Sequence, residues 1–253
     1  MDRQSLEKLT ISELKSLAIK MDLEPSRRKS DLINQIRDAF VKWENYKKEK
    51  VERYKEIKPL GNKGREAKTF LVYDNNHKKE YAQKRYRKNK SSDAIRKEYE
   101  FQKRAARRNI SPKVIDCDTI AKTMTMEKMD YDLIDLIQKQ KGKLTRYQQE
   151  EIINLFDRMD ELGIFHADSN SLNLMYTKEN KLQIIDYGFA EEITPKIIKK
   201  YGTDKPNRIY LIMGIISQLS RIFPNSKFQY LEKTISREML EKFQQANPPP
   251  VVT

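Results

Sequence analysis

The stretch GIFHADSNSLNLMYTKENKLQIIDYGFA, residues 163–190, holds one of only two histidines in the chain, His166, two positions before Asp168. Asn173 follows Asp168 by five positions, and Asp186 follows Asn173 by thirteen. The runs "LNLMYT" and "LQIIDY" read as a short hairpin, so both acids are expected at or near the ends of apolar runs, where a strand meets a loop. Loops carried by a rigid scaffold are where binding and catalytic side chains concentrate. Upstream, "TRYQQEEIINLFDRMDELG" carries an apolar stripe at Ile152, Leu155, Phe156, Met159 and Leu162, which predicts a long helix capped by Gly163.

Phosphoryl transfer from a nucleotide asks a protein for little covalent chemistry. It needs the triphosphate held, a metal bridging its oxygens, and a carboxylate beside the incoming hydroxyl. Asp168 would take or orient the hydroxyl proton. Asn173, a neutral oxygen donor, and Asp186, a charged one, would hold Mg²⁺, which prefers hard oxygen ligands. His166 would brace the loop rather than react. Each of these residues has a structural alternative as a turn or cap residue, so the first half of the chain is the test. There, "AKTFLVYD" and "KEYAQKRY" read as two strands joined by the turn "NNHK", and Lys84 falls on the second, two residues after Ala82. Gly61 and Gly64 lie between two strands about twenty residues earlier, where backbone N–H groups can approach phosphate closely. "SDAIRKEYEFQKRAARR" predicts a helix with Glu98 and Phe101 spaced i, i+3, the acid toward Lys84 and the ring toward the core, with Glu100 as the runner-up. No G-K-[ST] follows a strand, which excludes a P-loop.

The pattern H-x-D-x-x-x-x-N followed by D-Y-G resembles the catalytic loop and magnesium motif of protein-kinase-like enzymes, with Ala167 in place of the usual Arg and Tyr187 in place of Phe. The missing Arg removes the group that reads a phosphorylated activation loop. "GREAKTF" resembles the glycine loop of the small kinase in the KEOPS complex, and the A-x-K element of Ala82 and Lys84 resembles the phosphate-pairing strand. "MTMEKMDYDLIDLI" resembles the hinge, which implies Met126 as gatekeeper, Glu127 and Met129 offering backbone to adenine, and Asp132 near the ribose. There is no A-P-E element and no D-x-W helix, although "DKPNRIYLIMGIISQLSRIF" should form a large helix. The trimmed pattern is similar to KEOPS and RIO-type kinases. The resemblance implies an α+β, bilobal protein-kinase-like fold over 58–246, with ATP and Mg²⁺ as cofactors and protein serine/threonine hydroxyls as acceptors. A RIO-like ATPase switch, a small-molecule phosphotransferase and a DNA-binding scaffold with an inactive kinase fold are the alternatives.

The chain has 253 residues and a net charge of +14, of which residues 51–110 contribute +11, with 19 Lys/Arg against 8 Asp/Glu. Such a face is either solvated surface or a meeting place for polyanions. At the N-terminus, Thr10 to Glu13 has capping-box spacing before a stripe at Leu14, Leu17, Ala18 and Met21. A second stripe follows at Leu32, Ile33, Ile36 and Phe40, with Arg27, Arg28 and Lys29 between the two. This pattern resembles a SAP-type helix-extension-helix module over residues 1–42, which implies that the three cations contact nucleic-acid backbone and tether the enzyme to DNA. Asp22 stands where such modules often carry glycine. Residues 43–57 read as a charged helical linker and 247–253 as an extended tail. The combination is similar to kinases of large nucleocytoplasmic DNA viruses, which implies substrates that are basic or nucleic-acid-associated. It also implies residence in host cytoplasm or nucleus, with virion packaging as a further expectation. The single Cys117 precludes an internal disulfide and fits a reducing compartment, and no apolar run has the length to cross a bilayer.

Overall fold

The computed structural model describes residues 2–21, 23–61 and 67–236; Gly64 and the expected tail at 247–253 lie outside the described residues. In order, the chain forms α1 (Arg3–Glu7), α2 (Ile11–Lys20) and α3 (Lys29–Arg53), then β1 (Tyr54–Leu60), β2 (Ala67–Asp74) and β3 (Lys79–Tyr86). Next come α4 (Ser92–Arg107), β4 (Val114–Asp118), β5 (Thr123–Glu127), β6 (Tyr131–Asp132), α5 (Leu133–Lys139) and α6 (Arg146–Glu161). The remainder is β7 (Ile164–Phe165), β8 (Leu174–Tyr176), β9 (Leu182–Ile184), β10 (Glu191–Glu192), α7 (Pro195–Tyr201), α8 (Ile212–Ile222) and α9 (Gln229–Lys233). No described helix is long and apolar enough to cross a membrane.

Two compact units emerge, Met1–Glu56 with Tyr73–Lys79, and Ile57–Val72 with Glu80–Thr253. The first unit packs Leu6, Leu14, Ala18, Leu32, Ile33 and Ile36 into a small core. The larger of these side chains contribute roughly 1.5–3 kcal/mol each on burial. Thr10 and Glu13 close the expected capping box at the start of α2, with Thr10 N–H donating to the Glu13 carboxylate at 2.8 Å. The helix α3 then runs unbroken through residue 42, where the sequence reads as a module boundary, and ends at Arg53. The segment read as linker to 57 already turns to strand at Tyr54. Pro59 explains the switch: it cannot sit inside a helix, and β1 lies at the sheet edge, where a proline is tolerated. In the same unit, Arg53 at the end of α3 donates to Asp74 through Nη2 at 2.9 Å, and His77 Nδ1 lies 2.7 Å from the same carboxylate.

The sheet has the order β1-β2-β3-β5-β4, with β3 antiparallel to β5 and β5 antiparallel to β4. In the second unit, Ala67, Ala82, Tyr86, Ile95, Met124 and Met126 make the core between this sheet and α4. A larger core gathers α5, α6, α8, α9 and the β8–β9 hairpin, and it also takes Phe101 and Ala105 from α4. The α4 ring predicted to point inward is therefore buried, on a helix that serves both cores.

Candidate active site

Lys84 projects from β3, held in register by pairing with Met124. Its ammonium donates to Glu98 Oε1 of α4 at 2.6 Å and to Asp186 Oδ1 at 2.8 Å, across 102 residues of sequence. Glu98, not Glu100, is the partner. Glu98 is buried, whereas Glu100 sits on the exposed face of α4, with Lys103 Nζ 4.0 Å away. Burial works against a charged Lys84, but the two acids outweigh it and raise its pKa above the ordinary lysine value. Burial likewise works against ionisation of Asp186, and the Lys84 charge overcomes it, so that carboxyl lies below its usual range.

The catalytic-loop candidates are built by a chain of local bonds. Gly163 ends α6 with φ +72°, a left-handed value that glycine takes without strain. After β7, His166 is fully buried, with Nδ1 3.2 Å from the Asp168 carbonyl and Nε2 3.0 Å from the Ile185 carbonyl. Burial holds its pKa below the ordinary value, which suits a brace rather than an acid or base. Asp168 accepts the Asn170 backbone N–H at 3.1 Å and the Asn173 side-chain Nδ2 at 2.8 Å, one on each oxygen. The Asn173 amide nitrogen is thereby used, and its oxygen is the atom left to meet a cation. The β8–β9 hairpin brings the two halves together, as Ile185 N–H donates to the Asn173 carbonyl at 3.0 Å.

This arrangement suits a magnesium nucleotide. Asp186 uses Oδ1 for Lys84 and the Gly188 N–H, while its side chain stays 45% exposed. Glu98 keeps a buried oxygen, Oε2, with no hydrogen-bond partner. Among the described residues no three His, Cys, Asp or Glu side chains form a metal cage. Mg²⁺ dehydrates reluctantly and is held by one or two carboxylates together with phosphate oxygens, and Asp186 with the Asn173 amide oxygen would be the donors for it here. On the adenine side, Ala82 pairs across the sheet with Met126; both are buried, and Gln102 of α4 donates to the Met126 sulfur at 3.3 Å. Glu127, at the end of β5, donates its N–H to the Lys113 carbonyl at 3.0 Å. Met129 is half-buried just beyond it. Asp132 caps α5 by accepting the Asp135 N–H at 2.9 Å, a local role that the hinge resemblance does not include. Gly61 adopts φ +65° immediately after β1. In the other unit, Arg27 and Arg28 are exposed before α3, but Lys29 donates its ammonium to the Glu7 carbonyl at 2.8 Å and so ties α1 to α3.

Three supports were not read from the sequence. Asn207, fully buried in a single π-helical turn (Asn207–Leu211) ahead of α8, accepts His166 N–H at 2.9 Å. Its own amide donates to Asp160 at 2.7 Å and to the Ile164 carbonyl at 2.6 Å. Gln218 of α8 accepts Ser171 N–H at 2.7 Å, and Gly214, one turn earlier, lies against Ser169. A proline just before an asparagine, Pro206–Asn207, is the one local signal, since Pro opens helices and Asn holds loop backbone.

Comparison with curated proteins finds no match. Compared with family models, the chain matches the protein kinase domain over residues 54–211, more than half its length. That span takes in Lys84, Glu98, the 163–190 stretch and Asn207. With the match and the geometry coinciding on the same residues, the chain belongs to the protein kinase domain family and is a kinase-type phosphotransferase.

Proposed function

We propose that the chain is a Mg-ATP-dependent serine/threonine protein kinase whose substrates are basic or nucleic-acid-associated proteins. The observation that carries the reading is the placement of Lys84 between Glu98 and Asp186 at 2.6 and 2.8 Å. Lys84, positioned by Glu98, orients the nucleotide phosphates. Asn173 and Asp186 hold the metal, which when bound neutralises charge on the transferring phosphoryl group. Asp168, with an oxygen fixed by each of Asn170 and Asn173, takes the proton of the incoming hydroxyl. Met126 shapes the adenine pocket, and Gly61, Ala82 and the backbone at Glu127 and Met129 line the nucleotide. The helical module supplies the DNA contact through Arg27 and Arg28, which are exposed on a chain of net charge +14.

The test uses labelled ATP with Mg²⁺ and a panel of basic, DNA-associated proteins, with and without duplex DNA. Label on serine or threonine is expected, increased by DNA and lost in Lys84→Met and Asp168→Ala while both variants remain folded. Label transferred by either variant sinks the mechanism. Phosphate release with no labelled protein points instead to an ATPase.

A further inference from the structure

The segment that follows Asp186 is fixed in place by a charge pair that its motifs do not include. After the turn Tyr187–Phe189 the chain enters β10, which pairs antiparallel with β7 in the register Glu191 to Phe165 and Glu192 to Ile164. Ile193 N–H extends the ladder to the Gly163 carbonyl at 2.8 Å. Arg104 of α4 reaches both β10 and the residue that ends α6. One guanidinium nitrogen, Nη1, donates to Glu192 Oε1, and Nη2 donates to Glu192 Oε2 at 3.2 Å and to the Leu162 carbonyl at 3.1 Å. A planar guanidinium meeting both oxygens of a carboxylate is the geometry that fixes direction as well as distance.

Arg104 lies on the same helix as Glu98, six residues later, about 9 Å along the axis. That helix is thus held at two points, to the strand lysine through Glu98 and to β10 through Arg104. Ala167 stands where the kinase pattern has the arginine that reads a phosphorylated segment, and a methyl group reads no charge. We propose that the Arg104–Glu192 pair is a built-in lock, in which a genetically encoded carboxylate holds α4 and β10 in the transfer-ready arrangement without phosphorylation of that segment. Arg104 and Glu192 are positioning residues: neither touches Lys84, Asp168 or Asp186. Their side chains are 35% and 53% exposed, so the pair adds little to global stability, and its effect is on placement. This inference rests on the kinase reading of the site.

The test compares the full chain with Glu192→Gln, Arg104→Lys, Arg104→Glu, Glu192→Arg and the swapped pair R104E/E192R. Expected are a fall in kcat of about tenfold in Glu192→Gln and in both charge-reversing single variants, a smaller fall in Arg104→Lys, which keeps the charge but not the fork, KM for ATP and the melting temperature little changed, and substantial recovery in the swap. Wild-type protein treated with a broad phosphatase should keep its activity. Hydrogen exchange across 92–107 and 186–193 reads the lock directly, whatever the catalytic rate, and should quicken in Glu192→Gln. Unchanged exchange and unchanged kcat in Glu192→Gln, or activity lost on phosphatase treatment, overturns the lock. Wild-type protein that transfers no phosphate while Glu192→Gln still loosens both segments overturns the kinase reading and leaves the lock standing.

Discussion

Gly214 of α8 and Ser169, next to Asp168, approach so closely that a Cβ on Gly214 would lie 2.2 Å from both Cβ and Oγ of Ser169. No rotamer change relieves a clash with a Cβ, so Gly214→Ala must push the loop that carries Asp168. A displacement near 1 Å at a catalytic group costs on the order of a hundredfold in rate. Steady-state kinetics should show that loss in kcat with ATP binding nearly intact, and the double variant G214A/S169G should regain most of it. A double variant as slow as the single one would show that the contact does not set the position of Asp168.

Asn207 joins His166, Asp160 and Ile164 from a fully buried position. Asn207→Ala leaves the buried His166 N–H and Ile164 carbonyl without this partner, while Asp160 keeps two backbone N–H donors; at about 1–3 kcal/mol each, thermal unfolding should report a loss of at least 2 kcal/mol or so. Asn207→Asp tests the electrostatics. Burial pushes the Asp160 carboxyl up to about 7, so its protonated form is favoured in the fold. A raised pKa means stability present at low pH and lost as pH rises through about 7. A second carboxyl beside it deepens that loss, and N207D should be more destabilised at pH 8 than at pH 6. Equal destabilisation at both values would exclude the repulsion.

Asp74 supplies the acid limb of stability. Burial alone would raise its carboxyl, but hydrogen bonds from Arg53, His77 and the Asn76 backbone hold it well below the usual carboxylate range. A depressed pKa contributes stability above the unfolded value near 4 and loses it as pH falls further. Asp74→Asn should cost about 2–3 kcal/mol at pH 7 and flatten the fall in melting temperature below pH 4. A variant that melts like wild type at both pH values would remove Asp74 from the account.

The three cations at the start of α3 differ in their contacts: Lys29 is bonded to the Glu7 carbonyl, and Arg27 and Arg28 are exposed. Arg27→Ala with Arg28→Ala should weaken duplex DNA binding and reduce its salt dependence, by a slope of about one per phosphate contact removed. Lys29→Ala should instead loosen α1, because its ammonium holds the Glu7 carbonyl. Fluorescence anisotropy across a salt series separates the two. Unchanged affinity in the double arginine variant would redirect the nucleic-acid reading to the basic 51–110 segment.

The residues whose spacing is local were legible in the sequence. Asp168, Asn173 and Asp186 sit within one 28-residue stretch, and the hairpin that joins them shows as two apolar runs. Glu98 was separable from Glu100 because Phe101, three residues on, had to face the core. What escaped were contacts made across long separations by residues with no motif. Asn207 reaches back 41 residues to His166, and Arg104 reaches forward 88 to Glu192. No period or cap announces such pairs. The end of α3 was misplaced for another reason: "VERYKEIK" is charged throughout, so neither helix nor strand period stands out, and pairing at the sheet edge decides.

Two non-glycine residues in the 163–190 stretch that bear on the site, Ala167 at φ +60° and Asp186 at φ +66°, take a backbone shape that side chains resist, at roughly 1–2 kcal/mol each. His166 meets the carbonyl one residue past the first and the carbonyl one residue before the second. A neutral imidazole has a single N–H to give, so it ties down one of these two corners and only packs against the other. A fully buried ring wedged between the backbone of Asp168 and that of Ile185 is thus a spacer, and shrinking it would let both corners relax toward each other.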